Sequence, residues 1–228
     1  VADKNRGALF ELNLETLEII GRYNVPVDGL SHELGRLAVT GKGDVYVIDK
    51  AMPIIYRKAA DASRLVPFFG STELTSLTDI AVTPDNSRIF VADPILGILL
   101  IDPLTQRTAL MSGPENLNQG GVRGIEFASG KLFITQSDFS PQRIIRLELN
   151  AAGSGVDNVA PMAIAQDGFD KPGPGVIRDG SLYYLANHGT EAGARKLLVM
   201  STPLDAGSQI KPPDMKQFEE AMKARLNQ

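Results

Sequence analysis

The chain has 228 residues, 43% of them apolar and 22% charged, with a formal net charge of −4. That composition suits a folded globular domain; it offers no basic footprint for nucleic acid and no apolar run long enough to span a bilayer. There is no cysteine and there are only two histidines, His32 and His188, which excludes a disulfide framework, a thiolate metal site, a cysteine nucleophile and a three-histidine zinc centre.

Taken in order, the chain is a series of short apolar runs cut by Pro, Asp, Asn and Gly, the sequence form of antiparallel strands and turns. Val1-Ala2-Asp3 is followed by candidate strands at 8–12 and 18–22. Residues 36–40 lead through Lys42-Gly43-Asp44, a tight-hairpin turn, into 45–49. The clearest unit spans 77–110. Its runs at 80–82, 89–92, 98–101 and 107–110 are separated by Pro84-Asp85-Asn86, Asp93-Pro94 and Asp102-Pro103, which predicts a four-stranded meander. Strands are expected again at 124–128, 132–136 and 143–149. An insertion-like stretch rich in Gly, Ala and Ser follows at 150–157, and a last pair is joined at Asp179-Gly180-Ser181.

The second strand of each unit ends alike, at positions 3, 49, 93, 136 and 187, so the steps are 46, 44, 43 and 51 residues. A repeat of about 40–50 residues with four strands per unit predicts an all-β propeller, here over residues 1–210. Val1 falls in the middle of a second strand. This phase predicts about four and a half to five blades of a longer ring, with roughly one and a half blades preceding them if the ring has six. The alternative is a five-bladed ring whose first blade is completed by the C-terminus. Residues 211–228 break the pattern. Asp214 and Gln217 have the spacing of a capping box, and Met215, Phe218, Met222 and Leu226 share one helical face. A short amphipathic helix is expected there, packed on the propeller or on a protein partner.

These features carry a family resemblance. The motif Ile-Ala-Val-Thr-Pro-Asp followed by Ile-Phe-Val-Ala-Asp, the segments 124–136 and 141–147, and Phe169-Asp170-Lys171-Pro172 with Tyr183-Tyr184-Leu185-Ala186-Asn187 are similar to SMP-30/gluconolactonase/LRE-like propellers. That group overlaps the NHL-repeat propellers, and the likeness is to its bacterial, often exported, members. The resemblance implies a six-bladed ring, a periplasmic or secreted location, and lactone or ester hydrolysis. It also implies one divalent cation (calcium, zinc or magnesium) at the channel mouth, held by a Glu, an Asn and an Asp. Such a cation polarises a carbonyl and activates water. The places where that family carries its ligands read Gly35-Arg36, Thr78-Asp79, Arg123-Gly124 and Lys171-Pro172-Gly173. Asp79 is the oxygen ligand among them, whereas Arg36 and Arg123 are fixed cations that favour an anion.

Two functions therefore stand side by side: a metal-dependent hydrolase, and a non-catalytic propeller that binds a small, anionic ligand in its channel or a protein on its rim. The candidate site comprises Arg36, Thr78, Asp79, Arg123 and Glu126, with Gln119, Gln136, Asn187 and His188 at strand ends and loops. An Arg–Asp tie between neighbouring blades, for example Arg123 with Asp79, is the structural alternative for the first group, and turn chemistry for the second. Ser31, His32 and Glu33 are adjacent in sequence, which does not make a triad. The repeated Asp3, Asp49 and Asp93 read as strand-ending turn residues.

Overall fold

The structure, a computed structural model, describes residues 1–3, 7–74, 76–115, 117–188 and 196–206. The expected helix at 211–228, with Met215, Phe218, Met222 and Leu226, lies outside the described residues. No helix among the described residues is long and apolar enough to cross a membrane.

The fold is a five-bladed β-propeller. Sheet one comprises β1 (Ala2–Asp3), β2 (Ala8–Leu12) and β3 (Ile19–Asn24); sheet two β4 (Leu34–Val39), β5 (Val45–Asp49), β6 (Ile54–Lys58) and β7 (Val66–Gly70). Sheet three comprises β8 (Asp79–Val82), β9 (Ile89–Asp93), β10 (Gly97–Ile101) and β11 (Thr108–Leu110). Sheet four comprises β12 (Val122–Ala128), β13 (Lys131–Gln136), β14 (Arg143–Leu149) and β15 (Val156–Ile164), and sheet five β16 (Gly175–Arg178), β17 (Ser181–Leu185) and β18 (Val199–Pro203). Every pairing between these strands is antiparallel and between chain neighbours, and one isolated parallel bridge joins Ser112 to Gly155. Asp3 faces Ala8 as Asp49 faces Ile54 and Asp93 faces Gly97, so β1 is a second strand by register, as the repeat requires. The stretch expected to be an insertion at 150–157 is a turn, and Asp157 already belongs to β15. β15 runs for nine residues, and with the loop after it accounts for the long last step of the repeat.

Alternation within each strand feeds two interfaces. In sheet three, Phe90, Ala92, Ile98 and Leu100 pack with Ile125, Leu132, Ile134 and Ile145 of sheet four. The intervening Ile89, Val91, Leu99 and Ile101 pack with Tyr46, Ile48 and Ile55 of sheet two. A middle blade is thus covered on both faces. That is why its strands read as continuous apolar runs instead of alternating ones. Leu9 joins Val47 and Tyr56 between sheets one and two, and Phe133 and Ile144 join Leu182 and Tyr184 between sheets four and five.

Turn chemistry sets the ends. Thr83 Oγ1 accepts from the amides of Ser87 and Arg88, and Asn86 takes φ +58° between them. Asp93 Oδ1 accepts from Ile95 and Leu96, closing the turn into β10. Gly97 follows at φ +104°, where an added Cβ would lie 2.8 Å from Gln119 Cβ. Gly97→Ala combines that close approach with a left-handed backbone, so it is expected to lower stability by about 1–3 kcal/mol. A urea unfolding curve checks this, and an unchanged midpoint would contradict it.

Candidate ligand site at the channel mouth

The inner strands β4, β8, β12 and β16 stand around the axis. Two carry a one-residue bulge at their start. Leu34 faces Asp49 and Leu37 faces Val47, and likewise Val122 faces Gln136 while Gly124 faces Thr135. The extra residue re-aims a side chain, a common use of bulges. The residues within these irregularities include Arg36 and Arg123.

Arg36 is the hub. Its Nε donates to Asp79 Oδ1 at 3.0 Å, and its Nη2 donates to Glu126 Oε1 at 3.3 Å and to the Gly175 carbonyl at 2.9 Å. One guanidinium therefore ties all four inner strands. Asp79 is buried, and its carboxylate also accepts from Ile80 N at 2.9 Å and, across the blade boundary, from Ile125 N at 3.0 Å. Burial pushes the Asp79 carboxyl up, against the opposing pull of Arg36 and the two amides. Glu126 has fewer donors. Burial, reinforced by the Asp79 charge and opposed by Arg36, pushes it up to about 7.

The tie is Arg36–Asp79, not the Arg123–Asp79 pair expected from sequence. Arg123 instead donates to Asp138 at 2.5 Å. The bulge places Arg123 beside Asp138, in the loop after β13. A divalent cation at Asp79 does not fit this donor set. Both oxygens accept hydrogen bonds from protein N–H groups, and a guanidinium already lies between the two carboxylates. Among the described residues no group of three or more His, Asp or Glu could hold a metal ion.

Above the hub is a cavity of about 360 Å³ at the starts of the inner strands. Arg36, Lys50, Arg123 and Lys171 line it, with His188 and a single carboxylate, Asp138. Thr78 is at its floor, where its hydroxyl donates to the carbonyls of Ala92 and Val122. Ser137 donates to the Pro172 carbonyl and fixes the loop that carries Lys171. Asp138 is taken by Arg123, whereas neither Lys50 nor Lys171 has an acidic partner among the described residues. Lys50 escapes a sequence reading, and Lys171 stands at a place the resemblance marks without its charge being weighed. Lys50 comes directly after the strand-ending Asp49 and looks like an ordinary rim residue. Lys171 takes φ +53°, a conformation that its neighbour Pro172 does not announce.

The structure thus brings Arg36, Thr78, Arg123 and His188 to one mouth, with Asp79 beneath. Gln136 and Asn187 are not part of it. Gln136 is buried, donating to the carbonyls of Asn118 and Gly120 at 2.9 and 2.7 Å and accepting from Arg143 at 2.7 Å. Asn187 donates to the Lys196 carbonyl and accepts from Leu198 N. Gln119 bridges Ile98 N and the Met111 carbonyl. His32 is held by Asp49 at 2.6 Å and Asp28 at 3.0 Å, not by Ser31. Burial pulls the imidazole pKa down, but the two carboxylates outweigh it and raise it overall. Asp49 and Asp93 accept from their own turns and from the incoming loop at Glu33 N and Ser76 N, as expected of strand-ending residues.

No protein-family model matches the chain, and no curated protein matches it in sequence. Solved structures do share its fold. A chain of a nidogen/laminin complex superposes with a TM-score of 0.62 at 18% identity, over 80% of this chain and 68% of that one. Virginiamycin B lyase from Staphylococcus aureus superposes with a TM-score of 0.58 at 15% identity, over 90% of this chain and 64% of the lyase. Dihydro-heme d1 dehydrogenase NirN gives 0.57 at 14% identity, over 92% of this chain and 42% of the enzyme. The chain therefore spans between about two fifths and two thirds of these neighbours, and at such identities the likeness is one of β-propeller fold alone.

Proposed function

We propose that this propeller binds a small anion, a di- or tricarboxylate or a phosphorylated metabolite, at the channel mouth. The observation that carries this is the pair Lys50 and Lys171, two cations without acidic partners among the described residues, over a concave cavity. Lined by four cations and one carboxylate, the cavity concentrates anions. Arg123, already oriented by Asp138, supplies a planar donor for a carboxylate or phosphate.

Citrate and inorganic phosphate are the probes, and calorimetric titration at low salt is the readout. The Lys50→Ala/Lys171→Ala variant is expected to weaken citrate binding by about tenfold or more, equivalent to about 1.4 kcal/mol. Binding is also expected to fall as salt screens the site. The absence of heat with either anion, or equal affinity in the double variant, overturns the reading. The second reading, a lactone or ester hydrolase with a divalent cation in a six-bladed ring, rests on the family resemblance. It requires the Asp79 carboxylate to leave Arg36. Lactone turnover that a chelator abolishes would favour it over anion binding.

A further inference from the structure

A cleft of about 690 Å³ opens between sheets one and two. One wall is the face that sheet two turns towards sheet one. Val39 pairs with Val45, and Val45 with Lys58, so the three side chains share that face, with Leu37 two residues before Val39 on the same side. The other wall is Leu9 and Tyr23, paired across sheet one, with Leu14 and Leu17 at the exposed edge.

The next interface shows what this corner lacks. In sheet three the same three stations hold Val82, Ile89 and Ile101, paired in the same register and buried against sheet two. Val82 is 9% exposed, whereas Val39 is 54% exposed and belongs to none of the buried clusters. Sheet one approaches β4 through β1, which is two residues long and leaves the corner open.

Lys58 stands where sheet three has Ile101, and it is 7% exposed. Its ammonium donates to the Ala60 carbonyl at 3.0 Å and lies 4.7 Å from the centre of the Tyr23 ring. Neither contact is a counter-charge, and no carboxylate pairs with Lys58 among the described residues. Buried lysines are ordinarily paired, and an ammonium has donors to spare after one hydrogen bond. Glu11 is the other charged side chain in the lining. It is exposed, and it accepts from the Tyr23 hydroxyl at 2.7 Å.

We propose that this cleft binds a linear aliphatic carboxylate, its head group on Lys58 and its chain along Leu9, Leu37, Val39 and Val45. The head group answers a buried cation. The chain covers a corner that the next interface fills with its own side chains, and the volume lies in the ordinary range of ligand sites. An alcohol of the same length covers the same surface but leaves Lys58 unanswered, and an amine adds a like charge. The cleft shares no lining residue with the cavity at the channel mouth, so the two sites stand or fall separately.

The test uses octanoate, 1-octanol and octylamine as probes. The readout is the methyl resonances of Leu37, Val39 and Val45 at about pH 7, where the probe carboxylate is ionised. Octanoate is expected to shift these resonances and to bind about tenfold or more tightly than the alcohol or the amine. Lys58→Met puts an apolar side chain at a station where sheet three already carries one. It is expected to remove the preference while octanol still binds. Lys58→Arg is expected to keep the preference, and Lys50→Ala/Lys171→Ala to leave octanoate binding intact. Equal affinity for octanoate and octanol, tighter binding of octylamine, or an unchanged preference in Lys58→Met would overturn the proposal. So would the absence of any shift at about 2 mM octanoate, the result expected if the cleft takes only a polypeptide strand.

Discussion

Arg36→Ala is expected to lower the stability of the propeller by about 3 kcal/mol, the lower end of the range for breaking a buried ion pair. The low end applies because Asp79 is 1% exposed while the Arg36 side chain is 38% exposed, so only one partner is fully removed from water. The variant leaves the Asp79 carboxylate with two amide donors and no counter-charge, and it deletes the bonds to Glu126 and Gly175. Burial already pushes Asp79 up, and without the guanidinium it is pushed further. The loss is therefore expected to shrink in acid, where Asp79 takes a proton and no longer needs a partner. Urea unfolding at about pH 4 and pH 8 measures both numbers. A loss below about 1 kcal/mol at pH 8, within the range of an exposed ion pair, would show that the hub is a surface contact.

Glu126→Gln is expected to act in the opposite direction, and only at high pH. The Glu126 carboxyl holds its proton up to about 7 in the folded chain, against an ordinary value of 4.5. Below 4.5 both folded and unfolded chains are protonated there, and the group has no effect on the balance. Between 4.5 and 7 the unfolded chain releases its proton and the folded one keeps it, so stability falls as pH rises through this window. Above it the loss is complete, at no more than about 3 kcal/mol. The charged groups that face Glu126 are Arg36 from β4 and Asp79 from β8. Glutamine retains an acceptor for Arg36 and never ionises. The variant is expected to match the parent near pH 4 and to exceed it by about 2–3 kcal/mol near pH 8, with a flatter profile between. Parallel profiles for the two proteins would refute the assignment.

How much of this was legible in the sequence differs from feature to feature. The repeat is readable because the second strands of the first four sheets are apolar runs ending in Asp3, Asp49, Asp93 and Gln136, each paired with the first residue of the next strand, whereas β17 ends at Leu185, two residues before Asn187. The turns were readable because Thr83, Asp85, Asp93 and Asp102 act on amides two to five residues away. The channel residues were identifiable by their position at the starts of inner strands, but their partners were not. Arg36 lies 43 residues from Asp79, 90 from Glu126 and 139 from Gly175, and no local rule measures distance across an axis. Nor does a bulge advertise itself. One extra residue in β4 and in β12 decides which way Arg36 and Arg123 point, and so which of them meets Asp79. At Gln136 and Asn187 the sequence leaves pocket and strand-end tie open, because an amide there suits either. Only the neighbouring carbonyls tell the two apart.

The strand-ending residues carry one more implication, for how like repeats keep their order. Asp49 and Asp93 present carboxylates that accept from the incoming chain at Glu33 N and Ser76 N. Gln136, at the same station one blade later, presents an amide that donates to the carbonyls of Asn118 and Gly120. The polarity of the fastening is reversed. A loop from the fourth blade, offered to the third, would set two carbonyl oxygens against a carboxylate, and the opposite exchange would set amide against amide. Each such mismatch leaves buried groups without partners. The chain thus has a lock-and-key difference between adjacent copies of one motif, one that matches each blade's second strand to the loop entering that same blade.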